Sequence, residues 1–294
     1  MRVTTAQLYS TLLNGVSQQQ DILNQGNAQI SSGTRYQTPA QAGGLNYKVS
    51  LNIRQTQSEL KGDLGSIATA ASRLSSSMSS LNDIGNVMTR AQALAVQMGT
   101  ASTNATQRQS AAQQLTQLLN QVTSDANKKW QGQSLFAGTA VDKPAFVTDA
   151  SGKIVYNGNA QDRTVAISDG QQVISNVRGD NPAFTAAFSA LEGFKIALQN
   201  NDVTGVRNAI GALTNAGNGI ISLTSDVGAR LNSATLNKTA IQDRQLNLKK
   251  QLNTQEAVDI PSVVVRMQQS RIALQAAYKE ISQLQALSLT NFLK

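Results

Sequence analysis

The side chains that most often do chemistry in enzymes are absent from this sequence. The 294 residues include neither histidine nor cysteine. This excludes thiol nucleophiles, disulfides, acid–base catalysis by imidazole, and zinc sites built on Cys or His. Catalysis by carboxylates alone is not excluded by the absence of histidine and cysteine. The sequence therefore predicts no catalytic residue, no cofactor and no metal site.

Several Asp and Asn residues near the middle of the chain lie in short segments that contain glycine. Asp149-Ala150-Ser151-Gly152, Asn157-Gly158 and Asp169-Gly170 have the composition of hairpin turns. Asp and Asn tolerate turn backbone conformations, so turn formation accounts for these residues without a bound metal. A triplet at Gly217-Asn218-Gly219 is not a phosphate loop, because no strand precedes it and no Gly-Lys-Ser/Thr follows.

The basic residues argue only weakly for nucleic acid. Lys and Arg outnumber Asp and Glu by 25 to 17, which gives a net charge of +8. They are scattered singly, apart from Lys128-Lys129 and Lys249-Lys250, and Trp130 alone stands beside one pair. Nucleic-acid surfaces interleave a basic stripe with aromatic residues. We predict no nucleic-acid partner. A DNA-binding protein is the alternative, and steeply salt-dependent affinity would reveal it.

Composition favours helices packed on helices. Only 4% of residues are aromatic and 14% are charged, so a compact enzyme core is less expected than long helices joined by narrow apolar seams. Residues 1–5 lack the apolar stretch of a secretory signal, and no apolar run is long enough for a bilayer. We expect no membrane insertion and, if the protein is exported, a route without a cleaved signal peptide.

The two ends of the chain carry matching apolar patterns. From about Ile260 onwards, apolar residues recur at three- and four-residue spacing almost to the end of the chain. A heptad seam also runs through residues 4–31, where no charge lies between Arg2 and Asp21. Burying such a helix desolvates no ion. The predicted assembly interface comprises Tyr9, Leu12, Val16, Leu23, Ile30, Met267, Leu274, Tyr278, Ile281, Leu284, Leu287, Leu289 and Phe292.

The middle of the chain has two further long seams. Four-three spacing continues through residues 60–88 and 203–252, which predicts coiled-coil helices, while residues 135–177 combine short Val/Ile-rich runs with turns. The predicted fold class is mainly α with a small β-rich insertion, an elongated α-helical coiled-coil rod with nested domains. The predicted domains are a terminal coiled-coil domain (1–44 and 255–294), a helical core domain (45–134 and 181–254) and a β-rich outer domain (135–180).

Four segments resemble sequence blocks of a single bacterial family. They are residues 29–35 with Thr38-Pro39-Ala40, residues 132–139 (Gly-Gln-Ser-Leu-Phe-Ala-Gly-Thr), residues 226–232 (Asp-Val-Gly-Ala-Arg-Leu-Asn), and residues 273–278 with Leu287-Ser288-Leu289. On these blocks the sequence resembles the flagellin superfamily and, within it, the hook-associated protein 3 family of hook–filament junction proteins. One departure is Gln41-Ala42-Gly43, where members of that family commonly have acidic residues.

The resemblance implies a structural role without enzyme activity. Such a protein would be an adaptor in the bacterial flagellum, outside the cell, exported by the flagellar type III system. The implied partners are hook-associated protein 1, flagellin, an export chaperone and copies of the protein itself in a ring. Two alternatives stay open: a flagellin-type filament subunit, and a soluble binding protein that uses the β-rich insertion.

Overall fold

The structure is a computed structural model that describes the backbone of residues 2–100, 102–168 and 171–292. Side chains are described for residues 7–100, 102–166 and 172–284. The helices in these ranges are α1 (Arg2–Ser32), α2 (Pro39–Ala42), α3 (Gly44–Met98), α4 (Ala105–Ala126), α5 (Pro182–Gln199), α6 (Val203–Glu256) and α7 (Ile260–Phe292). The strands are β1 (Lys129–Trp130), β2 (Gln133–Ser134), β3 (Phe146–Thr148), β4 (Ile154–Tyr156), β5 (Thr164–Ser168) and β6 (Gln171–Ile174).

The predicted fold class, mainly α with a small β-rich insertion, is confirmed. The chain forms two compact units, one made of Met1–Ser58 with Arg244–Lys294 and the other of Glu59–Asp243. The sequence predicted the boundaries of the terminal domain at 44/45 and 254/255 instead. The division into three domains stays a prediction.

Local capping explains where several helices begin. Asn104 forms a capping box, in which its side chain accepts the Gln107 backbone N–H and the Gln107 side chain accepts the Asn104 N–H. Asn181 caps α5, which begins at Pro182. Thr38 caps α2, which begins at Pro39. Proline suits this position because its fixed φ is helical and its missing N–H would have had no helical partner.

The long seams of α3 and α6 are as regular as the sequence predicts. Each predicted position is buried or half-buried except Lys238, which is exposed. Thr224, on the α6 seam, turns its hydroxyl back to the Ile220 carbonyl at 2.8 Å, so a polar residue occupies the seam without an unpaired donor. The seam positions are Leu60, Leu64, Ile67, Ala71, Leu74, Met78, Leu81, Gly85 and Met88 in α3, and Val203, Val206, Ile210, Leu213, Gly217, Ile220, Thr224, Val227, Leu231, Ala234, Lys238, Ile241, Gln245, Leu248 and Leu252 in α6.

An aromatic cluster joins the strands of the second unit to its helices. Phe146 of β3 lies 5.3 Å from Phe184 and 5.0 Å from Phe188 of α5, measured between ring centroids. Phe136 meets Phe184 edge-on at 5.1 Å, and Tyr156 meets Phe146 at 5.6 Å. Burying several rings together supplies most of the apolar area that a small β region needs.

The strands form three separate antiparallel hairpins rather than one sheet. The turn predicted at Asp149 closes the β3–β4 hairpin, where the Asp149 carboxylate accepts the backbone N–H groups of Ser151 and Lys153. The hairpin predicted at Asn157-Gly158 is wrong, because β4 pairs with β3, a strand that the sequence reading missed. Gly158 instead packs against the Tyr156 phenol, where a Cβ would lie 2.3 Å from Oη. The predicted turn Asp169-Gly170 lies outside the described residues.

Candidate assembly interface

Helix α1 packs antiparallel against α7 within the first unit. The inward positions of α7 are Val263, Met267, Ser270 and Leu274, followed by half-buried Ala277, Ile281 and Leu284. These positions keep unbroken four-three spacing, which is the geometry of a coiled-coil seam. Near the start of α7, Val263 and Met267 meet Gly26 of α1, whereas Ser270 reaches back to Gln19. The first and last helices of the chain thus pack side by side within the first unit.

Small and polar residues set the spacing of this helix pair. Gly26 receives the Met267 side chain, and a Cβ at position 26 would lie 3.3 Å from Val263 Cγ1. Ser270 donates its hydroxyl to the Gln19 side-chain carbonyl at 2.6 Å. Gln20 donates its amide N–H to the Tyr278 phenol oxygen at 3.0 Å. The seam is thus closely packed at Gly26 and held by neutral hydrogen bonds further along.

The thirteen residues predicted for the interface divide into four sets in the structure. Val16, Met267 and Leu274 are buried, and Tyr9, Leu12, Leu23, Ile281 and Leu284 are half-buried. Ile30 is 38% exposed and Tyr278 is 50% exposed. Leu287, Leu289 and Phe292 lie outside the residues whose side chains are described.

Ile30 lies outside the buried part of the α1–α7 seam, and its place in the assembly interface stays a prediction. Gln29 takes the inward place, and its amide donates to the Arg35 carbonyl at 2.6 Å. The heptad count fails here because α1 ends at Ser32 and the chain turns back over its last turn. A polar side chain that satisfies the connector replaces the apolar side chain that the repeat predicts.

A second set of apolar side chains faces away from the seam. Ile272 is 67% exposed, and its α7 neighbours Ile260, Val264 and Val265 are exposed as well. Isolated apolar residues on a surface need no explanation, but large apolar patches mark interaction sites. Further exposed residues of the first unit are Leu8 and Leu13 in α1 and Leu45, Tyr47, Val49 and Leu51 in α3.

Sequence reasoning missed the apolar residues at the start of α3. Leu45, Tyr47, Val49 and Leu51 alternate with polar residues, which is typical of a strand, yet they belong to a helix. Alternate residues of a helix point about 160° apart in projection, so these four cannot share one buried face. The mismatch between spacing and helical context was the signal that could have identified them.

The connector between α1 and α3 is tied to the segment between α6 and α7. The Arg35 N–H donates to the Glu256 carbonyl at 2.7 Å, and the Val258 N–H donates to the Gly33 carbonyl at 3.2 Å. Gly33 has φ +70°, a left-handed conformation that ends α1. The Arg54 guanidinium also pairs with the Glu256 carboxylate. The Ser31-Ser32-Gly33-Thr34-Arg35 block therefore acts as a helix stop that links the two ends of the unit.

The Gln41 side chain forms a hydrogen bond within this connector. Its side-chain carbonyl accepts the Gln37 backbone N–H at 2.8 Å. This is the region in which the sequence departs from the acidic pattern of the family it resembles. A neutral amide oxygen satisfies the backbone here without introducing a charge.

The block at residues 132–139 anchors the β-rich part. Leu135 and Phe136 are fully buried, and Gly138 has φ +70° with the Asn159 carbonyl 2.3 Å from where its Cβ would lie. The Thr139 N–H donates to the Asn159 side chain at 2.9 Å. Only glycine fits at position 138, since both the backbone conformation and the space exclude a side chain.

The block at residues 226–232 holds the strands from the helical side. Arg230 pairs with Asp226 one turn earlier on α6 at 2.6 Å and donates to the Asn176 carbonyl at 3.2 Å. Val227, between them in sequence, is fully buried. The block thus combines a seam residue with an arginine that reaches the end of the β region.

The lysine pair beside Trp130 is engaged in the fold. Lys128 Nζ lies 2.7 Å from an Asp83 oxygen and 2.9 Å from an Asp125 oxygen. The hydrogen bond to Asp83 makes the largest contribution to raising the pKa of Lys128, and the hydrogen bond to Asp125 makes the next largest. Trp130 is half-buried against the core.

The described residues include no cluster of acidic side chains that could hold a metal, and none of their helices could cross a membrane.

Comparison with known proteins matches both ends of the chain to one family. Residues 3–141 match the bacterial flagellin N-terminal helical region, and residues 210–293 match the bacterial flagellin C-terminal helical region. The chain belongs to the flagellin superfamily. The resemblance drawn from the four sequence blocks is therefore confirmed, and α1 and α7 lie within the two matched regions.

Individual relatives within the superfamily are distant in sequence. Flagellar hook-associated protein 3 of Salmonella typhimurium is 23% identical over 317 residues, covering 98% of each protein. A flagellar hook-associated protein structure from Vibrio parahaemolyticus has a TM-score of 0.65 at 19% identity, covering 71% of this chain and 97% of that one. Bacillus cereus FlgL has a TM-score of 0.60 at 24% identity, covering 68% and 97%. The structural likenesses establish the fold.

Proposed function

We propose that this protein is a structural subunit of the bacterial flagellum that joins the hook to the filament. The observation that carries the proposal is the terminal unit, where a closed α1–α7 seam leaves a second set of apolar side chains exposed. The relative that spans nearly the whole chain is a flagellar hook-associated protein 3. No catalytic role is proposed, because a junction subunit functions through the surfaces that it buries.

Assembly would be driven by burying the exposed apolar set against neighbouring subunits. Ile272, Val264 and Tyr278 are large side chains exposed on α7. A fully exposed side chain of this size contributes about 1.5–3 kcal/mol when it is buried completely, so these partly exposed residues contribute a fraction of that, less the entropy lost on ordering the groups. Several such residues on each subunit suffice for a stable array. Helix α1 carries only Arg2 and Asp21 as charges, so few ions need to lose water.

The proposed neighbours follow from this role. The subunit would contact hook-associated protein 1 on one side and flagellin on the other, and copies of itself in a ring. An export chaperone would cover the exposed apolar helices before assembly. Export through the flagellar type III system, without a cleaved signal peptide, would deliver the chain to its place outside the cell.

A flagellin-type filament subunit is the second candidate. The family descriptions that match both ends of the chain name flagellin. The relative that spans nearly the whole chain is a hook-associated protein 3, so the filament subunit is the less supported role. The two roles predict different phenotypes in cells that lack the protein. Without a junction subunit, cells keep hooks and release flagellin into the medium, whereas without their sole flagellin they have hooks and no flagellin to release.

The deciding experiment is a deletion strain in which hooks, filaments and secreted flagellin are all measured. Hooks without filaments, together with flagellin in the medium, are expected. The same strain complemented with the full chain should regain filaments. Normal filaments in the deletion strain would contradict the proposal, and hooks with no secreted flagellin would favour the filament subunit.

A soluble binding protein that uses the β-rich insertion is tested by removing residues 139–180. The junction role predicts that the shortened protein still restores filaments, since the terminal unit is retained. Loss of filaments from a shortened protein that is still secreted would instead place an essential contact in the insertion.

A further inference from the structure

A buried arginine of the second unit has more N–H donors than its surroundings have acceptors for them. Arg73 of α3 is only 2% exposed. One terminal nitrogen of its guanidinium donates to the Ser134 carbonyl at 2.6 Å, and the other donates to the Gln133 side-chain oxygen at 3.3 Å. Its Nε–H has no hydrogen-bond partner among the described residues. A buried unpaired donor on a charged group is costly, so it indicates that something more completes the site.

A second arginine approaches the same acceptor. Arg163, next to β5, donates to the same Gln133 side-chain oxygen at 3.1 Å. Burial and then the charge of Arg163 lower the pKa of Arg73. Neither guanidinium contacts a carboxylate of the described residues. Two cations therefore share one neutral oxygen, and no carboxylate among the described residues compensates their mutual repulsion.

The two arginines line an open cleft of the second unit. Its described walls include Lys61 and Trp130 and contain no carboxylate. On the α3 side, Gly62 and Gly65 leave room, because a Cβ at either position would meet no atom within 4 Å. The cleft therefore combines open space with the positive charges of Lys61 and Arg163, and Arg73 forms part of its wall.

We propose that this cleft binds a small oxyanion, whose oxygens accept hydrogen bonds from the guanidinium groups of Arg73 and Arg163. Planar guanidinium groups suit carboxylate and phosphate, since parallel N–H donors match two oxygens. Lys61 adds a third positive charge at the wall. The same chemistry is available from a dissolved anion and from an acidic side chain presented by a neighbouring subunit.

Inorganic phosphate is the probe for the purified full-length chain. Binding is measured by titration calorimetry and by the shift in melting temperature, with chloride keeping the ionic strength constant. Saturable binding is expected to weaken about tenfold or more in Arg163→Gln, which corresponds to the loss of one charge-assisted hydrogen bond. This variant keeps the backbone N–H bond from Arg163 to the Asn176 side chain, 2.9 Å long.

Arg90→Gln is the matched control, because it removes the same charge from an exposed position of α3. It should bind phosphate like the original protein. Arg73→Met is a second variant, in which an apolar side chain of similar length replaces the buried cation and abolishes binding. The proposal is overturned if the original protein binds neither phosphate nor acetate saturably, or if Arg90→Gln weakens binding as much as Arg163→Gln.

Complementation then distinguishes the two sources of the anion. If an acidic side chain of a neighbour occupies the cleft, cells carrying Arg163→Gln should swim less well than cells carrying Arg90→Gln. If a dissolved anion is the ligand, both strains should swim equally while the purified variants still differ in phosphate affinity. Phosphate binding to the purified chain does not depend on the junction role, so the two proposals fail separately.

Discussion

Gly26 of α1 and Met267 of α7 are packed so closely that a side chain at position 26 would displace the methionine side chain. An added Cβ would lie 2.6 Å from Met267 Cγ and 2.7 Å from Sδ. Glycine is otherwise a poor helix residue, costing about 1 kcal/mol relative to alanine. Its presence inside α1 is therefore explained by the methionine side chain that packs against it.

Gly26→Val should separate α1 from α7. The branched side chain overfills the seam, and we expect a loss of about 1–3 kcal/mol in the stability of the terminal unit. Gly15→Val is the matched control, because a Cβ at position 15 meets no atom within 4 Å. Hydrogen exchange of α1 amides in the two variants measures the difference. Equal exchange rates in both variants would contradict the packing argument.

Leu274 and Ile272 should respond in opposite ways to truncation. Leu274 is 9% exposed and Ile272 is 67% exposed. Leu274→Ala removes buried contacts and should destabilise the monomer by about 2–4 kcal/mol, whereas Ile272→Ala should change monomer stability by less than about 0.5 kcal/mol. Urea unfolding of the purified chain measures both changes.

The same two variants separate folding from assembly in cells. Ile272→Ala should reduce swimming at normal secreted levels, because it removes apolar area that the proposed neighbours bury. If the Ile272→Ala strain swims normally and α7 substitutions matter only when they unfold the monomer, the exposed set has no role in assembly.

Lys128 should contribute more to stability than its neighbour Lys129. Lys128 pairs with Asp83 and Asp125, whereas Lys129 is exposed and outside these pairs. Replacing Lys128 with methionine leaves the Asp125 carboxylate, whose side chain is 9% exposed, without its cation. Because Lys128 itself is 43% exposed and screened by water, we expect a loss of only about 1 kcal/mol.

The control Lys129→Met should be nearly neutral. Because the raised pKa of Lys128 favours its charged form in the folded state, the extra stability is present below the unfolded pKa of about 10.4 and is lost as pH rises through the folded pKa. Urea unfolding at neutral and at strongly alkaline pH should show the two variants converging. A constant difference across that range would argue against the ion pairs.

Tyr156 should resist ionisation until the second unit opens. Burial, followed by the charge of Asp180, raises its pKa. The neutral phenol also donates to the Asn159 carbonyl at 2.8 Å. A raised pKa in the folded state means that stability is complete below the unfolded pKa of about 10 and falls as pH rises through the folded pKa. We expect one of the five tyrosines to ionise late in an ultraviolet titration.

Tyr156→Phe should remove that late phase and cost about 1 kcal/mol at neutral pH through the lost hydrogen bond. Tyr47→Phe, which removes an exposed phenol, is the control and should leave the late phase in place. If the late phase survives in Tyr156→Phe, another tyrosine carries it.

Much of the helical architecture followed from periodicity. Leu60 to Met88 in α3 and Val203 to Leu252 in α6 keep one spacing over many turns, so a local pattern suffices to predict a long element. The β region was harder, because three short hairpins carry few residues each. Strand β3 has only Phe146, Val147 and Thr148, too few for alternation to stand out, and its pairing with β4 is a tertiary choice.

The candidate sites illustrate a sharper limit. The seam residues Val16, Met267 and Leu274 are visible as heptad positions, but Ile30 is displaced by the turn that follows α1. The neighbours Arg73 and Arg163 are separated by ninety positions in the sequence. No local rule links them, because Gln133 brings them together only after the chain folds.

The hydrogen bonds described between α1 and α7 also bear on the surroundings in which the helix pair can form. Ser270 bonds to Gln19, and Gln20 bonds to Tyr278, so neither bond involves an ion. Salt weakens attractions between exposed charges but has little effect on neutral hydrogen bonds and slightly strengthens apolar packing. Helices α1 and α7 should therefore hold together at least as well in brine as in fresh water.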